Sequence, residues 1–119
     1  MSGYNDPKIQ VPYSVTTRRR ATARRRIPTI LADIRNSSRE AENDFRTCQN
    51  LEEQLFHELR NLHRGRGPWK TELPATIGAV SLQQRDEALT ELENFEKLDR
   101  QQAYKLAAVI LAYKIPVAT

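Results

Sequence analysis

The sequence predicts an all-α protein: an extended basic N-terminal arm, then two long antiparallel helices completed by oligomerisation. Three observations carry this. Apolar residues recur at steps of three and four along two long stretches. Positive charge gathers ahead of them, where residues 1–26 hold Lys8 and six Arg against Asp6 alone. The second stretch closes on LAAVILAY, which is apolar nearly all round, and such a helix must be covered on several sides.

The arm comes first. In residues 1–17, Pro7 and Pro12 are expected to break any helix, and Val11, Val15, Thr16 and Thr17 favour extended backbone. Residues 18–26 are the block RRRATARRR. Residues 27–119 are expected to form the helical hairpin. Its first helix spans about 28–63, with a seam through Ile27, Leu31, Ile34, Ser38, Ala41, Phe45, Cys48, Leu55, Leu59 and Leu62, interrupted by Glu52. Pro28 suits the first turn, and His63-Arg64-Gly65-Arg66-Gly67-Pro68 reads as a stop.

The connecting loop, 64–80, is long for a hairpin and carries Trp69, Leu73, Ile77 and Val80, so it is more than a polar tether. The second helix, about 82–114, starts at the capping-box pattern Ser81-Leu82-Gln83-Gln84 and ends before Pro116. Within it Glu93–Lys97 and Glu96–Arg100 stand at helical ion-pair spacing. Leu106, Val109, Ile110 and Tyr113, with Trp69, are the expected oligomer contacts. The alternative is that the loop folds back over this end and one chain suffices.

Composition narrows the function classes. With 119 residues the chain has room for one small domain. One Cys rules out a disulfide scaffold within the monomer, and 4 Gly speak against a Gly-rich phosphate loop. The longest apolar run, Leu106 to Tyr113, is far short of the ~20 residues that span a bilayer. His57, His63 and Cys48 lack zinc-ligand spacing, so no metal and no cofactor are expected. Nothing selects a carboxylate pair for acid–base work, and no enzymatic activity is expected.

The basic block is the main functional signal. Arg18, Arg19, Arg20, Arg24, Arg25 and Arg26 are all Arg, whose planar fork suits phosphate oxygens. On a helix they would point to about 0°, 100°, 200°, 240°, 340° and 80° round the axis. They share no single face, so a segment enclosed by phosphates uses them all. Six duplex contacts would give a salt slope of about −5. No base-reading motif is present, so binding is expected to be sequence-independent. Two rival readings of the block are a nuclear localisation signal and an organelle transit peptide.

The block TRRRATARRR and the two amphipathic helices around GRGPW together resemble the coat proteins of rod-shaped and filamentous archaeal viruses. That resemblance implies paired helix-turn-helix subunits wrapping double-stranded DNA in A form, as a homo-oligomer or with a paralogous coat subunit, inside a virion. It assigns DNA contacts to Arg18–Arg20, Arg24–Arg26, and to Arg35 and Arg39 on the first helix. Duplex DNA is favoured and RNA is possible. A second expectation is a ribonucleoprotein subunit, such as a ribosomal protein, with the arm threaded into RNA. A third is a helical adaptor whose Arg block is only a sorting signal.

Overall fold

The computed structural model describes residues 7–37, 42–65, 69–73 and 77–113, and the side chains of 17–37, 45–65, 71–73 and 77–113. Among these residues the chain is all-α. Helix α1 spans Pro7–Asn36, α2 Glu42–Leu62, α3 Leu82–Leu92 and α4 Arg100–Ala112. Short 3-10 turns lie at Trp69–Glu72 and Phe95–Lys97.

The arm is helical where it was expected to be extended. From Pro7 onward it belongs to α1 without a break. Pro7 stands at the first helical position, where a missing N–H costs nothing. The Arg and Ala of the block are good helix formers. Ala23 and Ile27, both fully buried, anchor the block to the body. Pro28 lies inside the helix rather than at its start, and its ring is on the exposed side. There water can serve the Arg24 carbonyl that a proline cannot.

The first long helix breaks after Asn36. Ser37 turns its hydroxyl back to donate to the Asp33 carbonyl at 2.8 Å. The buried Arg85 of α3 donates to the Ile34 carbonyl at 2.7 Å. The last carbonyls of α1 thus find donors from outside the helix. The chain then reverses. Arg26 meets Glu58 and Gln54 of α2, while Ile34 and Cys48 share Arg85. α1 and α2 therefore run antiparallel within what reads as one helix, and the first long helix expected for the hairpin is not present as such.

The second long helix is also two. At its start the box is present as read: Gln84 N–H donates to Ser81 Oγ (3.2 Å) and Ser81 N–H to Gln84 Oε1 (2.8 Å). After Leu92 the chain turns, Leu98 is extended, and Asp99 caps α4. A second capping box joins Asp99 and Gln102, with Gln102 N–H to Asp99 Oδ1 at 2.8 Å. Glu93 and Glu96 consequently pair with Arg35 and Arg24 of α1, not along their own helix.

One core holds the four helices. Ile27, Leu31 and Ile34 of α1 meet Leu55, Phe56 and Leu59 of α2, Leu89 and Leu92 of α3, and Ala107 and Ile110 of α4. Each such Leu, Ile or Phe contributes about 1.5–3 kcal/mol by leaving water. Leu73 of the connecting segment packs on the same cluster. Ile110 is thus a core residue of the single chain, contrary to its expected role as an oligomer contact. Leu106, Val109 and Tyr113 are half-buried. Among the described residues Leu82 alone is a large exposed apolar side chain, at 51%. The side chain of Trp69 lies outside the described residues.

Candidate nucleic-acid interface

The buried residues of α1 fix which way its arginines point. Ala23, Ile27, Ile30, Leu31 and Ile34 are buried. On the angular scale set at Arg18 they occupy about 120–220°. Arg18 and Arg25, near 0° and 340°, therefore stand on the crest, and both are exposed. Arg24 and Arg35 fall on one flank, Arg19 and Arg26 on the other. Arg20 points inward and is half-buried.

Arg24, Arg26 and Arg35 on the flanks are engaged by the body. Arg24 Nε lies 3.2 Å from Glu96 Oε1. Arg35 reaches Glu93 at 3.0 Å and donates to Thr90 Oγ1 at 2.9 Å. Arg26 lies 2.7 Å from Glu58 Oε2, and the Glu58 side chain is 3% exposed against 51% for Arg26. Asn61 donates to the other Glu58 oxygen at 3.0 Å. Carboxylates with such partners can be buried without a large net cost. Arg25 makes only a local hydrogen bond to Thr22, and Arg18 and Arg19 have no acidic partner among the described residues. The block expected to act as one set of six thus divides into three held against the body, Arg20, Arg24 and Arg26, and three presented to solvent, Arg18, Arg19 and Arg25. Arg39 lies outside the described residues.

Two of the presented arginines, Arg18 and Arg19, also stand on the part of α1 that precedes its first buried residue among those described. The antiparallel register that pairs Arg26 with Glu58, and brings Ile34 and Cys48 to Arg85, sets Arg20 beside the end of α2. Pro7–Arg19 therefore runs on beyond the end of α2 by about 20 Å. Thr17, Arg18 and Arg19 on this stem are exposed.

A second cationic cluster lies at the foot of the stem. Arg64 adopts left-handed backbone, φ 58°, and Gly65 N–H donates to the Arg60 carbonyl at 2.9 Å. This closes α2 in the Schellman manner, with Arg where glycine is usual. Glycine is needed one position on, because a Cβ at Gly65 would lie 2.4 Å from Arg60 Cγ and 2.9 Å from Tyr104 Oη. Glu72 pairs with both Arg60 and Arg100. Arg100 stacks over the Tyr104 ring, whose other neighbours are Phe56 at 4.8 Å and His63, edge-on, at 6.2 Å between centroids. Burial foremost, then the Arg100 charge, holds the His63 imidazole below its ordinary pKa; Asp99 opposes this and Arg20 adds to it. Burial and the Glu72 charge raise the Tyr104 phenol above its ordinary value.

Sequence reasoning missed three buried charges. Glu52, Glu58 and Arg85 are 1%, 2% and 5% exposed. Arg85 precedes Ala88, Leu89 and Leu92 at steps of three and four, so the period itself placed it on the inner face. Glu52 interrupts the seam and is inside, accepting from Cys48 Sγ at 3.3 Å. Arg85 also lies 5.4 Å from the Tyr113 ring centre, a cation–π distance.

Among the described residues no cluster of His, Cys, Asp and Glu could hold a metal ion, and no helix is long and apolar enough to cross a membrane. Comparison with protein-family models, with curated proteins and with solved structures finds no match for this chain.

Proposed function

We propose that this chain is a structural nucleic-acid-binding protein that holds duplex phosphates, without reading sequence, through the stem and crest of α1. The observation that carries the reading is the presented set: Arg18, Arg19 and Arg25 face solvent with no carboxylate paired to them among the described residues, on a helix with no acid between Pro7 and Ala32. Guanidinium groups left free on a slim helix are suited to phosphates on either side of a groove. Copies arrayed along a duplex would form a coat, the arrangement implied by the resemblance to archaeal viral coat proteins. Half-buried Leu106, Val109 and Tyr113, and exposed Leu82, are the apolar atoms left for contacts between copies.

One observation favours a second reading. The core closes within a single chain, so a solitary subunit of a ribonucleoprotein particle needs no neighbour to be stable. Stoichiometry separates the two. Micrographs of the protein with long duplex DNA should show filaments of regular width if it is a coat.

The binding reading is tested by salt titration of anisotropy on unrelated duplexes. Three presented arginines predict a slope of about −2.7, half that of the whole block. Replacing Arg18, Arg19 and Arg25 with Ala should weaken all sequences alike and flatten the slope by about that amount. A loss confined to some sequences, or an unchanged slope, would sink it.

A further inference from the structure

The outer face of α3 carries acids that nothing answers among the described residues. Arg85, Ala88, Leu89 and Leu92 are turned inward, so the 100° step turns Asp86, Glu87 and Glu91 outward. All three are exposed and none pairs with a cation; the Glu87 carboxylate accepts only from its neighbour Gln83. The single base of α3 is the buried Arg85. Leu82, the large exposed apolar side chain among the described residues, stands one turn before Asp86. It lines one shallow groove with Asp86, Glu87 and Glu91.

The crest of α1 is its counterpart in charge and in shape. Arg18 and Arg25 lie on one side of the helix, with Ala21 between them at steps of three and four. Ala21 is exposed, and so is Arg19 nearby. A small residue flanked by arginines on α1 thus complements a leucine flanked by carboxylates on α3. One chain cannot bring the two together. Arg85 holds the Ile34 carbonyl and Arg35 holds Thr90, which fixes α3 beside the far end of α1. Helix α1 is unbroken from Pro7 to Asn36, and Arg18 and Arg19 stand about 22–26 Å from that end along its axis.

We propose that, in protein free of nucleic acid, the outer face of α3 in one copy receives the Arg18–Arg25 stretch of α1 from a second copy. Leu82 seats on Ala21, and Asp86, Glu87 and Glu91 answer Arg18, Arg19 and Arg25. The contact joins different surfaces of the two copies, so it propagates head to tail. Exposed ion pairs each contribute little, which makes it weak and salt-sensitive, with a Kd on the order of 100 μM. Carboxylates here occupy arginines that phosphates would otherwise take, and the contact stands whether or not duplex binds.

Sedimentation of the full chain, stripped of nucleic acid, tests this. At about 0.05 M salt the weight-average mass should rise with concentration across roughly 10–500 μM. At about 1 M salt, where charges are screened beyond about 3 Å, it should stay that of one chain. The Asp86→Lys, Glu87→Lys, Glu91→Lys variant should lose the rise, and so should the Arg18→Glu, Arg19→Glu, Arg25→Glu variant. An equimolar mixture of the two should restore it, which shows that neither lost it by misfolding. Cross-linking reads the position: Ala21→Cys and Leu82→Cys chains, mixed at low salt and oxidised with diamide, should give the mixed disulfide at about tenfold over either symmetric one. A single-chain mass at every concentration, association that survives either reversal, a mixture that stays apart, or disulfides in random proportion overturns the proposal.

Discussion

The two halves of α1 are built from similar residues and do different work. From Ala23 to Asn36 the helix is wedged: one side is core, and Arg24, Arg26 and Arg35 on its flanks answer Glu96, Glu58 and Glu93. From Pro7 to Arg19 it stands clear of α2, and its described arginines answer nothing. Arg25 and Arg26 are adjacent, yet one turns to solvent and the other reaches a buried carboxylate. A run of like charges is therefore not a unit of function; the 100° step between neighbours assigns each residue to a different partner.

The comparison can be broken most forcefully from its buried side. Ile110→Asp should unfold the single chain, because Ile110 is fully buried in its core. A carboxylate forced into a dry core is among the costliest single changes, above about 4 kcal/mol, and dilution should not alter the outcome. A folded, dissociated monomer on sedimentation would contradict this. Leu31→Ala should cost about 2–5 kcal/mol in urea unfolding, since Leu31 is 2% exposed.

The paired and presented arginines differ by less. Arg26→Ala leaves Glu58 buried with only Asn61 beside it and should cost about 1–2 kcal/mol. Arg25→Ala should change stability by less than about 0.5 kcal/mol. Equal losses would remove the distinction. Replacing Arg24, Arg25 and Arg26 together therefore tests folding and binding at once, and is the poorer probe of binding.

The smallest expected effect is at the foot of the stem. His63 is held below its ordinary pKa of 6.5 by burial and then by Arg100. Above that pH it is neutral in both folded and unfolded chains and has no effect. As pH falls below 6.5 the unfolded chain takes the proton first, so stability drops, and the drop is complete once the folded imidazole is also protonated. Melting curves between neutral and mildly acid pH should show this fall in the parent and a shallower one in His63→Gln.

Much of this was legible in the sequence, and the misses have specific causes. The helical class followed from the three-and-four period, and Ser81–Gln84 marked a helix start correctly. Asp99-Arg100-Gln101-Gln102 is the same kind of signal, but it lies inside an apolar period that runs from Leu98 to Ala103 without a visible gap. Periodicity passes through a tight turn whose flanking residues both face the core. The partners of Arg24 and Arg26 are dozens of residues away, so no local pattern announces them. In α4, Ala107 and Ile110 are covered by this chain's own helices, while Leu106, Val109 and Tyr113 remain half-buried.

Cys48 is the only thiol in the chain and is 0% exposed, enclosed by Glu52 and Arg85. A sulfhydryl reagent can reach it only when α1, α2 and α3 part. The molecule therefore carries its own clock for opening: modification rates measured with and without duplex would report whether added duplex changes how often those helices part.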